Sequence, residues 1–82
     1  MASVLCSVLT PFVSDNVGNV FLCITDALKE FGGKKISNAV IPYEDAMYME
    51  SRVRTIGGEK FENFKNYILL RYPECKVLML EH

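Results

Sequence analysis

The chain has 82 residues, of which 50% are hydrophobic and 23% are charged, and its formal net charge is −1. This composition excludes a disordered chain and indicates one globular domain with a single core. There is no excess of positive charge to attract nucleic acid, and no apolar run approaches the ~20 residues of a membrane-spanning helix. We therefore expect neither nucleic acid nor a membrane as a partner.

The first predicted elements are a strand and a helix. The run SVLCSVLT before Pro11 indicates a strand, although a short helix also fits so short a run. Ser14 and Asp15 are predicted N-cap residues for a helix over 15–31. Apolar side chains at spacings of three and four give this helix one buried stripe, and two glycines end it. The stripe consists of Val17, Val20, Phe21, Ile24, Leu28 and Phe31.

The middle segment, KKISNAVIPYEDAMYMESRVRTI, has two interpretations. Its Glu, Ala, Met and Arg residues are compatible with a helix over 43–55. A hairpin turning at YED, with 35–41 paired to 47–54, accounts for more of the pattern, because it separates apolar from polar side chains. One face would carry Ile36, Val40, Met47, Met49 and Val53, and the other Lys35, Ser37, Ala39, Ile41, Tyr48, Glu50, Arg52 and Arg54. We favour the hairpin.

The last predicted elements are a helix over EKFENFKNYILLRY and a strand over CKVLML, separated by Pro73. The order strand, helix, strand, strand, helix, strand predicts an α+β fold of the ferredoxin-like βαββαβ type. Two helices would cover a four-stranded antiparallel sheet, with the first and third strands in the middle. We interpret 1–79 as a single domain and LEH, 80–82, as a vector-derived tail.

The residues that carry chemistry are few and scattered. Cys6, Cys23 and Cys75 are far apart and form no CxxC pair, which favours buried free thiols in a reducing compartment, the cytoplasm. If His82 belongs to the tail, no histidine is left to activate a Ser or Cys nucleophile. The cysteines also give no metal-binding spacing. We predict no catalytic residues, no metal and no cofactor.

Basic side chains would gather at one end of the hairpin. Lys35, Arg52 and Arg54 are predicted to form a basic patch on the sheet face away from the helices. A sheet face with basic and aromatic groups can bind single-stranded RNA, but MYMESRVRT does not match the RNA-recognition signature. A solvated charged face is therefore preferred, and weak single-stranded nucleic-acid binding is kept as an alternative.

The strand, the turn DNVG and the helix ending ITDALKEFG resemble the ACT-domain family over residues 3–41. In that family an Asp-x-Pro-Gly-like turn leads from the first strand into an apolar helix that ends in glycine. The matching positions here are Asp15, Gly18, Ile24, Leu28, Phe31 and Gly32, and Val17 stands where the family has proline. The resemblance implies a regulatory module that binds an amino acid or a similar small molecule near the turn, at Asp15, Asn16 and Gly18.

The outer strands predict how this chain associates. Both faces of the first and last strands are apolar, whereas helices can cover only one face of the sheet. The uncovered face would present Leu5, Leu9, Leu78 and Leu80 as a patch, and such patches mark interaction surfaces. We therefore expect a non-catalytic binding or regulatory domain that acts as a homodimer. A protein–protein adaptor without a small ligand is the main alternative.

Overall fold

The computed structural model describes residues 3–81. Its elements are β1 (Ser3–Pro11), α1 (Val17–Phe31), β2 (Gly33–Tyr43), β3 (Ala46–Ile56), α2 (Glu59–Arg71) and β4 (Lys76–Glu81). Leu80 and Glu81, assigned to the tail by the sequence, are the last two residues of β4. His82 lies outside the described residues.

The four strands form one antiparallel sheet in the order β2-β3-β1-β4. The predicted α+β class, with two helices on a four-stranded antiparallel sheet, is confirmed. The first and third strands are the central pair, as predicted. The core lies between the helices and one face of the sheet and consists of Val4, Cys6, Val8, Val20, Cys23, Ile24, Ala27, Leu28, Val53, Phe61, Phe64, Ile68 and Cys75.

The start of α1 differs from the prediction. The helix begins at Val17, with Asn16 rather than Ser14 or Asp15 at the N-cap position, and the Asn16 side chain does not bond to the first turn. The Ser14 hydroxyl instead accepts a hydrogen bond from the Asn16 backbone N–H at 3.0 Å. The side chains of both Ser14 and Asn16 also donate to Glu74, a contact from the far end of the chain. This tertiary contact displaces the expected capping arrangement.

The predicted hairpin is confirmed, and so is its register next to the turn. Tyr43 pairs with Ala46 and Ser37 pairs with Arg52 around the turn at Glu44-Asp45. Glu44 has a φ of 53°, the left-handed value that a two-residue hairpin turn requires. Beyond Ser37 the pairing shifts by one residue at a β-bulge.

The predicted position of Lys35 is wrong because of the bulge. Lys35 pairs with Val53, so its side chain lies on the helix-covered face and not beside Arg52. Its Nζ lies 4.6 Å from the centre of the Phe21 ring of α1. In the amide orientation that gives Asn38 its best hydrogen bonds, its oxygen accepts from Lys35 Nζ at 3.1 Å and its nitrogen donates to the Ser51 hydroxyl. One inserted residue, Ile36, thus moves a charge to the opposite face.

The helices cover only part of the hairpin. In β3 the buried residues fall between Glu50 and Thr55, whereas the four residues from Ala46 to Met49 are exposed or half-buried. In β2 the residues from Gly33 to Val40 are all exposed, and the two half-buried residues, Ile41 and Tyr43, lie on the face away from the helices. The end of the hairpin near its turn therefore extends beyond the helical layer.

Candidate functional site

The face of the sheet opposite the helices is the first candidate, and we call it the open face. Because Cys6 and Val8 point into the core, Leu5, Ser7 and Leu9 point away from it. Across the strands, the open face also includes Arg54, Arg52 and Glu50 of β3 and Leu78 and Lys76 of β4.

A polar network lies at the centre of the open face. Glu50 is only 6% exposed, although no helix covers this side. The Ser7 hydroxyl donates to one carboxylate oxygen at 2.8 Å, and Arg52 Nε donates to the other at 3.1 Å. A buried carboxylate is costly unless it is paired and hydrogen-bonded, and both conditions hold here. The network fixes the position of the Glu50 charge within the sheet.

The predicted apolar patch lies next to this network. Leu5, Leu9 and Leu78 share the open face, since Ser7 pairs with Leu78 and lies between Leu5 and Leu9 in β1. Leu9 is fully buried within the chain, whereas Leu5 and Leu78 are half-buried. Leu80 is 43% exposed and lies at the irregularity where the β1–β4 register shifts. The accessible apolar area therefore comes from Leu5, Leu78 and Leu80.

The predicted ligand-binding turn between β1 and α1 is hydrogen-bonded to the loop between α2 and β4. Asn16 Nδ2 donates to Glu74 Oε2 at 2.9 Å, and the Ser14 hydroxyl donates to the same oxygen at 3.2 Å. The hydrogen bond from Asn16 is the main cause that lowers the pKa of Glu74, with contributions from its own backbone and from Ser14. Asp15 and Gly18 are exposed, and a Cβ at Gly18 would meet no atom within 4 Å. The turn therefore holds a carboxylate already.

The predicted basic patch is only partly assembled. Arg52 and Arg54 lie on the open face, where Arg52 is engaged by Glu50 and Arg54 donates to the Ser3 hydroxyl at 3.2 Å. Lys35 lies on the other face because of the bulge. The ring of Tyr48 contacts Tyr43 edge to face, with 5.8 Å between ring centres. This leaves a mixed surface on the open face and no continuous basic track.

The cysteine thiols are suited to packing. Burial raises the pKa of Cys6 to about 12, and burial also raises the pKa of Cys23 and of Cys75. They are therefore protonated at neutral pH, and protonated thiols are poor nucleophiles. Among residues 3–81, no three His, Cys, Asp or Glu side chains come together in a group that could hold a metal ion.

Two shallow cavities also lie on the described part of the chain. One, of about 230 Å³, lies between α1 and α2 and is lined by Cys23, Asp26, Tyr67 and Arg71 among others. The Arg71 guanidinium lies over the Tyr67 ring at 3.8 Å and donates to the Tyr67 carbonyl, so it is held against α2. The other, of about 240 Å³, lies at the end of the sheet beside Lys34. The first cavity brings the Cys23 thiol near the Asp26 carboxylate, but burial raises the pKa of that thiol, which makes it a poor nucleophile.

The sequence placed Glu50 on the open face but did not indicate its burial or its contact with Ser7, and it did not single out Glu74. Ser7 and Glu50 are 43 positions apart, and Asn16 and Glu74 are 58 apart, so no local pattern could indicate either contact. No helix of the described residues is long and apolar enough to cross a membrane. Comparisons with protein-family models, with curated proteins and with solved structures find no match.

Proposed function

We propose that this chain is a non-catalytic binding domain of the ferredoxin-like type that acts as a homodimer through its open face. The βαββαβ element order and the central position of β1 and β3 support the fold assignment. The proposal keeps the regulatory role that the ACT resemblance implies. Three free thiols support a reducing compartment, such as the cytoplasm.

The open face carries this proposal. It combines a charge-balanced centre, in which Ser7 and Glu50 are buried and Arg52 is partly exposed, with accessible apolar side chains at Leu5 and Leu78. Because Glu50 already has its cation within the same chain, a second copy can pack on this face without burying an unpaired carboxylate. An apolar surface beside an ordered polar group fits the mixed character of protein interfaces.

The edges of the sheet are less suited to association than its face. In β2, Pro42 lacks a backbone N–H, and the bulge interrupts the ladder between Lys35 and Ser37. At the other edge β4 has only six residues, and its pairing with β1 is irregular. Both features protect edges against strand addition. A two-fold contact through the open face is therefore favoured over a continuous sheet.

Sedimentation equilibrium at tens of micromolar tests this proposal. We expect a species of twice the 9.3 kDa chain mass. Leu78→Lys should shift the population to monomer, because it places a charge in the centre of an isologous interface, where it occurs twice. The matched control is Leu22→Lys on α1, where the side chain is 67% exposed.

A monodisperse 9.3 kDa species for the unmodified chain would refute the homodimer. Equal monomerisation by Leu22→Lys would place the contact on the helices instead. Circular dichroism of both variants separates loss of the dimer from loss of the fold.

A small carboxylate ligand at the β1–α1 turn is a second candidate function, favoured by the Glu74 contact. The donors of Ser14 and Asn16 converge on one carboxylate oxygen, which is the recognition that the carboxylate of an amino acid would require. Glu74 occupies these donors in the free chain. A ligand would have to displace it, so the affinity for the ligand would be lowered by that competition.

The substitution Glu74→Ala tests this second candidate. It frees the donors, so we expect the melting temperature to rise with millimolar amino acid in the variant more than in the unmodified chain. Asn16→Ala in the same background is the control and should abolish the rise. If no amino acid raises the melting temperature of Glu74→Ala, the contact serves only to join the two loops.

A further inference from the structure

A second exposed apolar surface lies at the turn end of the hairpin. It consists of Phe12, Val13, Val40 and Met47, which are 51%, 92%, 46% and 47% exposed, and we call it the hairpin shelf. It is separate from the open face, because Met47 lies on the helix-covered side of β3, the same side as Met49, Ser51 and Val53. A cluster of large apolar side chains at this exposure indicates an interaction surface.

The members of the hairpin shelf are held together by the backbone. Val40 pairs with Met49 and therefore shares the face of Met47. The Phe12 N–H donates to the Met47 carbonyl at 3.0 Å, which holds the end of β1 beside the start of β3. The Ser14 N–H then donates to the Pro11 carbonyl at 2.9 Å and closes the turn that presents Val13.

The shelf is uncovered because the helices are shorter than the hairpin strands. The 15 residues of α1 span roughly 22 Å, and the 11 residues of β3 span roughly 36 Å. On the helix-covered face of β3, burial ends at Ser51, and Met49 and Met47 toward the turn are half-buried and exposed. The sheet therefore continues past the helical layer, and the shelf occupies a position where a further helix could pack.

The charged residues in the loops that border the shelf are acidic, and Lys35, a cation on the same face of the sheet, contacts Asn38 and the Phe21 ring. No Lys or Arg occurs in 12–28 or in 36–51, the two segments that supply the shelf. Exposed carboxylates do occur there, at Asp15 in the β1–α1 loop and at Glu44 and Asp45 in the hairpin turn. An apolar surface with an acidic rim is complementary to an apolar segment flanked by basic residues.

We propose that the hairpin shelf binds an amphipathic helix of a partner protein, with an apolar stripe bordered by Lys or Arg. Helices bind in this manner through anchors at i, i+3, i+4 and i+7. The acidic rim disfavours an anionic lipid surface. A second copy fits less well, because α1 and α2 each expose one large apolar side chain, Leu22 and Leu70, and neither offers a stripe.

Two synthetic helical peptides of roughly 18 residues test the proposal, both with the same leucine stripe, one with lysine and one with glutamate at the flanking positions. In a ¹⁵N–¹H titration of the full chain, we expect the lysine peptide to shift the amides of Phe12, Val40 and Met47. It should bind at least about tenfold more tightly than the glutamate peptide. No binding of the lysine peptide up to millimolar concentration would overturn the proposal, as would equal affinity for both.

Matched substitutions locate the contact. Met47→Ser should weaken binding of the lysine peptide by about tenfold, whereas Leu70→Ser, on the exposed side of α2, should leave it unchanged. Glu44→Gln with Asp45→Asn should reduce the preference for lysine over glutamate. Shifts confined to the open face would overturn the proposal, and so would loss of self-association in Met47→Ser, which would assign the shelf to a second copy.

Discussion

The two ends of β3 have similar side-chain alternation and different surroundings. Near its C-terminal end, Val53 is completely buried beneath the helices, with Phe64 and Ile68 in the same core. Near the turn, Met47 is 47% exposed on the same face of the same strand. Alternation therefore determines which side a residue takes, whereas the length of the covering helices determines whether that side is buried. The consequence is a stable core at one end of the hairpin and an accessible apolar surface at the other.

The largest expected effect tests this difference directly. Phe64→Ala should lower the free energy of unfolding by about 3–5 kcal/mol, because Phe64 is fully buried and its truncation leaves a cavity. Val40→Ala on the hairpin shelf should lower it by about 0.5 kcal/mol, since Val40 is 46% exposed. Urea unfolding followed by circular dichroism measures both values.

Comparable losses for the two variants would mean that the turn end of the hairpin is covered, either by the chain itself or by a second copy. Repeating the unfolding at several protein concentrations separates these two cases, because only an intermolecular contact makes stability depend on concentration.

Local patterns predicted most of the fold. The apolar spacing in α1 and α2 identified both helices, because period-three-and-four stripes belong to no other element. Tyr43 facing Ala46 followed from alternation on both sides of a polar turn. The bulge at Ile36 could not be predicted, since no residue there demands one, and it reversed the face expected for Lys35.

The candidate sites were also predicted only in part from the sequence. Alternation in β1 predicted that Leu5 and Leu9 share a face, and the structure shows that this face points away from the core and also carries Leu78. Alternation does not indicate that Leu9 is already fully buried by its own chain, because alternation gives the face of a residue and not its exposure. The carboxylates of Glu50 and Glu74 act through partners distant in sequence, and only the tertiary structure identifies them.

The smallest expected effect concerns Lys34 and Lys35, two adjacent lysines that precede the bulge. Lys35→Ala should lower the free energy of unfolding by about 0.5–1 kcal/mol, because it removes a cation positioned over the Phe21 ring. Lys34→Ala is the matched control and should not destabilise the fold, since Lys34 lies opposite Arg54 and its removal relieves a like-charge contact. If the hairpin had no bulge, Lys35 would lie beside Arg52, and its removal would relieve repulsion between like charges. A neutral or stabilising Lys35→Ala, measured by urea unfolding beside Lys34→Ala, would therefore contradict the observed register. A selective loss in Lys35→Ala would show that the inserted residue brings this end of β2 into contact with α1, in contrast to its uncovered turn end.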